Sequence, residues 1–352
     1  MLIYYMIFSV AFTCTIFDYV QGKLLKSIIF LLFCSIVICF PAFRTVGVDN
    51  DSINYVEIFN STINYSLSDI LAGNYWENTE RGYMLLNKVI SMAGGDINWV
   101  FFIMAVATGL FTYSFIYKVS PLPFTSVLFY LSFFYLYRDF TQIRYALSAS
   151  IAFYAIYFLA NRRFILFLLS FIFAMLFHNA SVVILLIAPF VFLVKNKYVY
   201  LIMPVFCTIG LFVNFFPLLL SLAGVPQYMS VYLEESGGAG LVVTVFGLAI
   251  MAIYTLFYKR LQDNDLDLSF YYRVFALGVS LNMLFFQSPI FQRFTYLLFQ
   301  FGVILLPTML AQLQKGKDKY YFVLLHFLFL CFLLYYSYKL IDPHLIRPYF
   351  EI

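Results

Sequence analysis

The sequence predicts an all-α polytopic membrane protein with about twelve transmembrane helices. Three observations carry that expectation. Apolar residues make up 64% of the 352-residue chain and charged residues only 11%, against roughly 25% charged in soluble domains. Mean hydropathy is +0.91. Runs such as 164–177 and 320–340 have no polar face to turn toward water. In lipid only helices and closed barrels satisfy the backbone, and a barrel would need alternating segments of ~10 residues, which these runs are not. The small net charge of +4 is scattered along the chain, which excludes a nucleic-acid footprint.

Polar punctuation divides the chain into twelve apolar segments: 2–17, 27–40, 99–117, 123–137, 145–159, 164–177, 182–194, 199–216, 241–258, 271–286, 294–311 and 320–340. The first lacks a basic leader and a small-residue cleavage site, so it reads as a retained span. Several segments fall short of the ~20 residues that cross a bilayer core. Two pairs read as short, broken hairpins. One pair, 164–177 and 182–194, turns at His178-Asn179-Ala180-Ser181, because Arg162-Arg163 and Lys195-Asn196-Lys197 then share one face. The other, 123–137 and 145–159, turns through 138–144, with Arg138, Asp139, Gln142 and Arg144 in the turn. Arms this short leave their turns recessed, where non-helical backbone survives only beside a protein cavity.

Loop charge orients the chain. One set of loops holds twelve Lys/Arg and five Asp/Glu; the other, with the C-terminal tail, holds eight and twelve, with Arg273, just inside a span, set aside. The basic set is cytoplasmic by the positive-inside rule. Both termini are then external, as are two longer segments, 41–98 with patchy interfacial helices at 63–72 and 83–93, and 217–240, which ends in a glycine-rich flap. The whole chain reads as one integral membrane domain. The five cysteines lie in apolar runs without a C-x-x-C pair and read as buried thiols.

Candidate chemistry collects on the external side. Arg44, Arg138, Arg144 and Arg293 stand on the face depleted in positive charge, and guanidinium matches phosphate oxygens with paired donors. Snorkelling to headgroups or pairing with loop acids is the structural alternative. Arg144 opens a small-residue helix (Ala146, Ser148, Ala149, Ser150, Ala152), which fixes it on a closely packed element. Gln142 is a partner for a sugar hydroxyl or an ordinary packing residue. His178 closes an apolar run at a recessed turn, and intramembrane ionisable residues point to function; helix capping is the alternative. Asp49 and Asp51 could hold a divalent cation or serve as a general base. Glu80 is a further carboxylate, and both readings compete with solvated loop acids. Tyr55, Tyr75, Trp76, Tyr83, Tyr137 and Tyr145 could stack on sugar rings or belong to interfacial belts.

Taken in order, several pieces resemble a known family: Arg44-x-x-Gly47-x-Asp49 with Tyr55, then Glu80-x-Gly82-Tyr83, Gln142-x-Arg144, and Phe177-His178-Asn179-Ala180-Ser181. The order is similar to that of the EpsG-type oligosaccharide polymerases, relatives of the Wzy O-antigen polymerases. The motifs cover about residues 40 to 190. The spacing from aspartate to tyrosine is longer here, which leaves that role open between Asp49 and Asp51. The resemblance implies a GT-C-like fold in the bacterial inner membrane, working at the periplasmic face without metal or cofactor. It implies transfer of a growing chain from undecaprenyl pyrophosphate to the non-reducing end of a new lipid-linked repeat unit, with a Wzz-like chain-length regulator as a possible partner. Asp49, Asp51, Glu80 and His178 are then the base candidates, and Arg44, Arg138, Arg144 and Arg293 the pyrophosphate candidates, with Gln142 toward sugar. A flippase or other transporter, an O-antigen ligase and a membrane acyltransferase are the competing classes. Transport would need polar groups spread through the membrane depth, and here they cluster on one face.

The orientation is testable. Alkaline phosphatase fused after residue 352 is expected to be active, and fused within 195–198 inactive; the reverse pattern would place every candidate residue on the wrong side.

Overall fold

A computed structural model describes residues 1–75, 79–215, 240–261, 268–288, 291–316 and 318–350. Among them no strand forms, and one isolated antiparallel bridge joins Asp49 to Ile346. All twelve apolar segments contain helix. Six helices among the described residues are long and apolar enough to cross a membrane: Leu2–Tyr19, Lys23–Ala42, Ile97–Val119, Ile143–Ala160, Gln292–Leu313 and Lys319–Lys339. Shorter apolar helices run over Phe164–Met175, Asn179–Leu193, Lys197–Leu211 and Leu241–Leu256. The chain forms two compact units, one of residues 1–179 with 317–352 and one of residues 180–316.

In the first unit, α1 (Leu2–Cys14) continues as a 3₁₀ turn to Tyr19 and is followed by α2 (Lys23–Ala42). Three short helices come next: α3 (Ser52–Ser61), α4 (Leu67–Ala72) and α5 (Arg81–Met92). Ser66 and Asp69 form a capping box at the start of α4, which satisfies two end donors reciprocally. Tyr83, Met84, Asn87 and Ile90 are the buried side of α5, spaced as one face of a helix. Then α6 (Ile97–Val119), α7 (Pro123–Tyr130), α8 (Ile143–Ala160) and α9 (Phe164–Met175) follow. The helix Lys319–Lys339 returns to this unit. Packing runs α2 on α6, α6 on α8 and α8 on α9, while α1 and the returning helix flank α7. The small side chains of α8 permit this: Ala146, Ser148, Ala149, Ser150 and Ala152 are all buried.

The first expected hairpin differs from its sequence reading. From Tyr130 the helix continues as an eleven-residue π-helix, Leu131–Thr141, and α8 begins at Ile143. Arg138 and Asp139 therefore lie on a helix, Arg144 lies in the first turn of the next, and the connection shrinks to Gln142. Hydropathy missed this because it scores polarity, and a helix end lined by buried charges scores as a loop. At the second expected turn the helix ends at Met175 and a 3₁₀ turn, Asn179–Ser181, leads into Val182–Leu193.

The opposite ends of these helices are closed by a buried network. Pro123 stands at the first position of α7, and Asp18 supplies the cap from a distant segment. Its carboxylate accepts from the backbone N–H groups of Phe124 and Thr125 at 2.9 and 2.8 Å and from the Thr125 hydroxyl at 2.8 Å. That hydroxyl has one proton, so His326 Nε2 donates to it at 3.0 Å and Tyr19 donates to Nδ1 at 2.8 Å. The Lys26 ammonium donates to the Asp18 carbonyl at 2.9 Å.

The second unit is built around the helix Leu268–Leu284, which packs against Val182–Leu193, Lys197–Cys207, Leu241–Leu256, Gln292–Phe299 and Gly302–Leu313. Arg273, buried in that helix, donates through Nη1 to the Val191 carbonyl at 2.7 Å. Asn282 joins Thr244 at 2.7 Å and Thr295 at 3.2 Å. These bonds satisfy polar groups that lipid or packed hydrocarbon would leave unpaired. The expected flap at 217–240 lies outside the described residues except for Gly240, as does Trp76.

Asp18→Ala removes the acceptor of two helix-end N–H groups and a buried hydroxyl. Losses of about 2 kcal/mol or more are expected, visible as a lower melting temperature of the detergent-solubilised protein, with Asp18→Asn in between. An unchanged melting curve for Asp18→Ala would remove the cap from the fold's supports.

Candidate functional site

At the other ends of the first unit's helices, the motif residues come together. The stretch after α2 turns sharply at Gly47, whose φ of +96° is open to glycine and costly for other residues. The turn brings Asp49 back onto Arg44, with Nε donating to Oδ2 at 2.8 Å, and both side chains are fully buried. Arg44 Nη1 donates to the Pro41 carbonyl at 2.9 Å, its guanidinium lies 4.0 Å from the centre of the Phe101 ring, and Nη2 has no hydrogen-bond partner. The second carboxylate oxygen of Asp49 accepts from the Asp51 N–H at 3.0 Å. Burial pushes the Asp49 carboxyl above its ordinary value, while the Arg44 charge and these hydrogen bonds pull it back. Asp51 is half-buried at the start of α3. Asp49 is thus tied at both oxygens as a strut of the loop.

From this loop the aromatic residues lead inward. Tyr55 donates to the Thr141 carbonyl at 3.0 Å, at the end of the π-helix, and its ring lies 5.8 Å from Tyr83 and 6.4 Å from Phe101. Burial drives the Tyr55 and Tyr83 hydroxyls well above the ordinary tyrosine value. Tyr83 in turn faces Arg144, 5.7 Å from its ring centre. Arg144 pairs with Glu80 through Nη1 and Oε2, the arginine side chain 22% exposed and the carboxylate 9%. Glu80 Oε1 accepts from the Asn179 N–H at 3.2 Å, while Arg144 Nε is buried without a partner.

Gly82 explains the rest of its motif. Its N–H donates to the Leu176 carbonyl at 2.8 Å, and a Cβ there would stand 2.6 Å from that oxygen. The glycine lets α5 dock on the end of α9, which sets Glu80 beside Asn179 and Arg144. The third arginine, Arg138, lies 4.1 Å from the Phe134 ring centre and 4.7 Å from that of Tyr145, and donates to the Tyr145 hydroxyl at 3.2 Å. The half-buried His178 ring meets the other side of this group, 5.1 Å from Tyr145. Asp139 accepts from Tyr130 at 2.8 Å. Gln142 is the half-buried connection itself.

Seven of the predicted residues thus gather with Asp51 and Gln142 alongside, all in the first unit or its connections: Arg44, Asp49, Glu80, Arg138, Arg144, His178 and the bridging Tyr55. Arg293 lies in the second unit, half-buried on Gln292–Phe299. Tyr55, Tyr83 and Tyr145 are buried scaffold, not open faces for a sugar, and Tyr75 donates to the Thr79 carbonyl. Tyr137 is 49% exposed.

Sequence reasoning missed two contributors. The C-terminal tail clasps the Arg44 loop: Arg347 N–H donates to the Val48 carbonyl at 2.7 Å, Asn50 to the His344 carbonyl, and Tyr349 to the Phe40 carbonyl at 2.9 Å. No local pattern marks so distant a pairing. Beside the loop opens a cavity of about 290 Å³ walled by Phe43, Arg44, Trp99 and Phe102. Phe43 and Trp99 are exposed aromatics at helix ends, the only signal the sequence offered for it.

Several helices of membrane length and the apolar composition make the chain a polytopic membrane protein, and Arg44, Arg138 and Arg144 lie with Asp49 and Glu80 at one set of helix ends in its first unit. The chain belongs to the EpsG family, the family of Wzy-like polymerases, whose model matches residues 27–350. That membership points to a polysaccharide polymerase-type function. No curated protein and no solved structure matches the chain.

Gly82→Ala is expected to push α5 from α9 and displace Glu80, costing roughly 1–3 kcal/mol and shortening the polysaccharide product. Gly22→Ala, where an added Cβ meets nothing closer than 3.8 Å, is the control. A Gly82→Ala protein indistinguishable from that control in melting temperature and product length would sink the docking argument.

Proposed function

We propose that the protein is a glycosyltransferase-type polymerase of lipid-linked oligosaccharide repeat units. It transfers the growing chain from undecaprenyl pyrophosphate to the non-reducing end of a new lipid-linked unit. The chain crosses the bacterial inner membrane about twelve times in a GT-C-like arrangement, with 41–98 in the periplasm and the site on that face. The product is an O-antigen, capsule or exopolysaccharide. The observation that carries the reading is the convergence of Arg44, Arg138 and Arg144 with Glu80 and His178 in a chain of the EpsG family.

The chemistry needs two functions. The acceptor hydroxyl must lose its proton as its oxygen bonds to the anomeric carbon, and the electron pair of the broken C–O bond must be stabilised on the departing pyrophosphate. Arg144, on a tightly packed helix and partly exposed, grips the pyrophosphate, with Arg138 adding charge behind it. Glu80 takes the acceptor proton, and His178 and Gln142 orient sugar hydroxyls. Arg44 and Asp49 hold the loop that frames them. Arginine supplies the positive charge, so the reaction runs without a metal.

A fork of donors holds two pyrophosphate oxygens where lysine offers a point charge. Losing a preorganised donor to a developing anion costs about 3 kcal/mol, or ~10²-fold in rate. Arg144→Lys is therefore expected to fail nearly as badly as Arg144→Ala, with protein level and membrane insertion intact. A polysaccharide gel should show single-unit products. Long chains from Arg144→Lys would mean the arginine only packs, and a gel lacking even single-unit caps after gene deletion would favour a ligase.

A further inference from the structure

The Arg144–Glu80 pair has an arrangement that a simple structural ion pair does not need. Both side chains are largely withdrawn from water, yet neither is sealed, at 22% and 9% exposure. Glu80 is held on the protein by its other oxygen, through the Asn179 N–H. Arg144 keeps Nε buried and unpartnered, as Arg44 keeps Nη2, so the two arginines do not differ in that respect. Both carboxylates are tied at both oxygens; what differs is exposure, since both side chains of the Arg44–Asp49 pair are fully buried. One pair is sealed, and the other lies within reach of solvent.

We propose that Glu80 is an internal stand-in for the substrate's pyrophosphate: it occupies Arg144 in the resting protein and is displaced when an isoprenyl pyrophosphate binds. The inference rests on the polymerase reading for what happens next. The pyrophosphate, with two to three negative charges on several oxygens, outcompetes a monovalent carboxylate for the guanidinium fork. Glu80 stays anchored at Asn179 and gains a free Oε2. That oxygen takes the acceptor hydroxyl's proton as the acceptor oxygen bonds to the donor's anomeric carbon, while the electron pair of the broken sugar C–O bond leaves on the pyrophosphate now held by Arg144. The base is therefore unmasked only when the leaving group is in place, and part of the substrate's binding energy goes into breaking the resting pair.

The exchange has a signature that a structural role does not share, since removing the competitor should strengthen binding. Purified full-length protein in nanodiscs is titrated with farnesyl pyrophosphate by calorimetry. Glu80→Gln is expected to bind roughly tenfold more tightly than the natural protein, about 1.4 kcal/mol, while losing polymerisation. Glu80→Asp, which keeps the charge but shortens the reach to Arg144, should also bind more tightly and covers the case in which Gln disturbs folding. Arg144→Lys should bind more weakly, and adding Glu80→Gln to it should restore little, because the two effects share one contact. Equal or weaker binding by well-folded Glu80→Gln and Glu80→Asp would overturn the exchange, as would the absence of any binding. The polymerase reading is scored separately, by elongation of lipid-linked units with the natural protein. Elongation without tighter Glu80→Gln binding defeats the exchange alone, and tighter binding without elongation leaves the exchange standing as an anion site.

Discussion

The site depends on a charge pair kept out of water. Arg44 and Asp49 are both fully buried and joined at 2.8 Å, in surroundings where an isolated charge would be very costly. The pair is tolerable because the guanidinium also finds a carbonyl and a ring, and the carboxylate a backbone N–H. Breaking such a pair typically costs about 3–5 kcal/mol, since the remaining charge is left uncompensated. It fixes the loop from Gly47 to Asp51, onto which the C-terminal tail pairs and from which Tyr55 reaches the end of the π-helix. Phe101, Tyr55 and Tyr83 then carry that fixed point, ring by ring, to Arg144.

The two ends of the first unit solve the same problem for different purposes. Each must satisfy helix ends without bulk water. At the Asp18 end the acceptor is a single carboxylate that caps α7 and completes a chain of hydrogen bonds to Tyr19, and Thr125, Asp18 and His326 are all buried. Such a network is saturated, and it holds helices together. At the Arg44 end the helical backbone is broken three times, at Gln142, at Leu176 to His178 and between α2 and α6. Broken backbone leaves donors and acceptors to be satisfied by side chains, which draws polar residues to one place. Arg144, Glu80 and His178 are the members of that group that keep some exposure. The π-helix belongs to the same logic: its wider turn is uncommon and recurs at functional positions, and here it carries Arg138 and Asp139 to the helix end.

How much of this the sequence showed depends on the range of the interaction. Hydropathy located the apolar helices, six of membrane length among the described residues, because each is a local property of a dozen or more neighbours. The motif glycines were visible, but their reasons were not: Gly47 serves a positive φ, and Gly82 serves a contact with Leu176, 94 positions away. Arg144 and Glu80 could each be named from chemistry, yet nothing local says that they pair across 64 residues. Asp18 read as one acid in a basic loop, because its partners Phe124, Thr125 and His326 lie far along the chain. The turn at 138–144 was misplaced for the opposite reason, since local polarity there was strong and the burial that tolerates it was invisible.

The contrast among the arginines follows from these constraints. A guanidinium near a lipid-facing surface carries a desolvation cost that falls when a carboxylate neutralises it, so a resting site with several arginines is easiest to build from pairs and ring contacts. Ring contacts leave donors available, and pairs consume them. Arg138 lies against Phe134 and Tyr145, Arg44 is locked to Asp49, and Arg144 sits between these extremes, paired but reachable. The proposed function, with a multivalent anion as ligand, would need this middle case. An unpaired arginine would be costly while the site is empty, and a sealed pair would be useless when the ligand arrives. Arg144 is held there from the first turn of a helix packed through small residues, which fixes the backbone that carries the guanidinium.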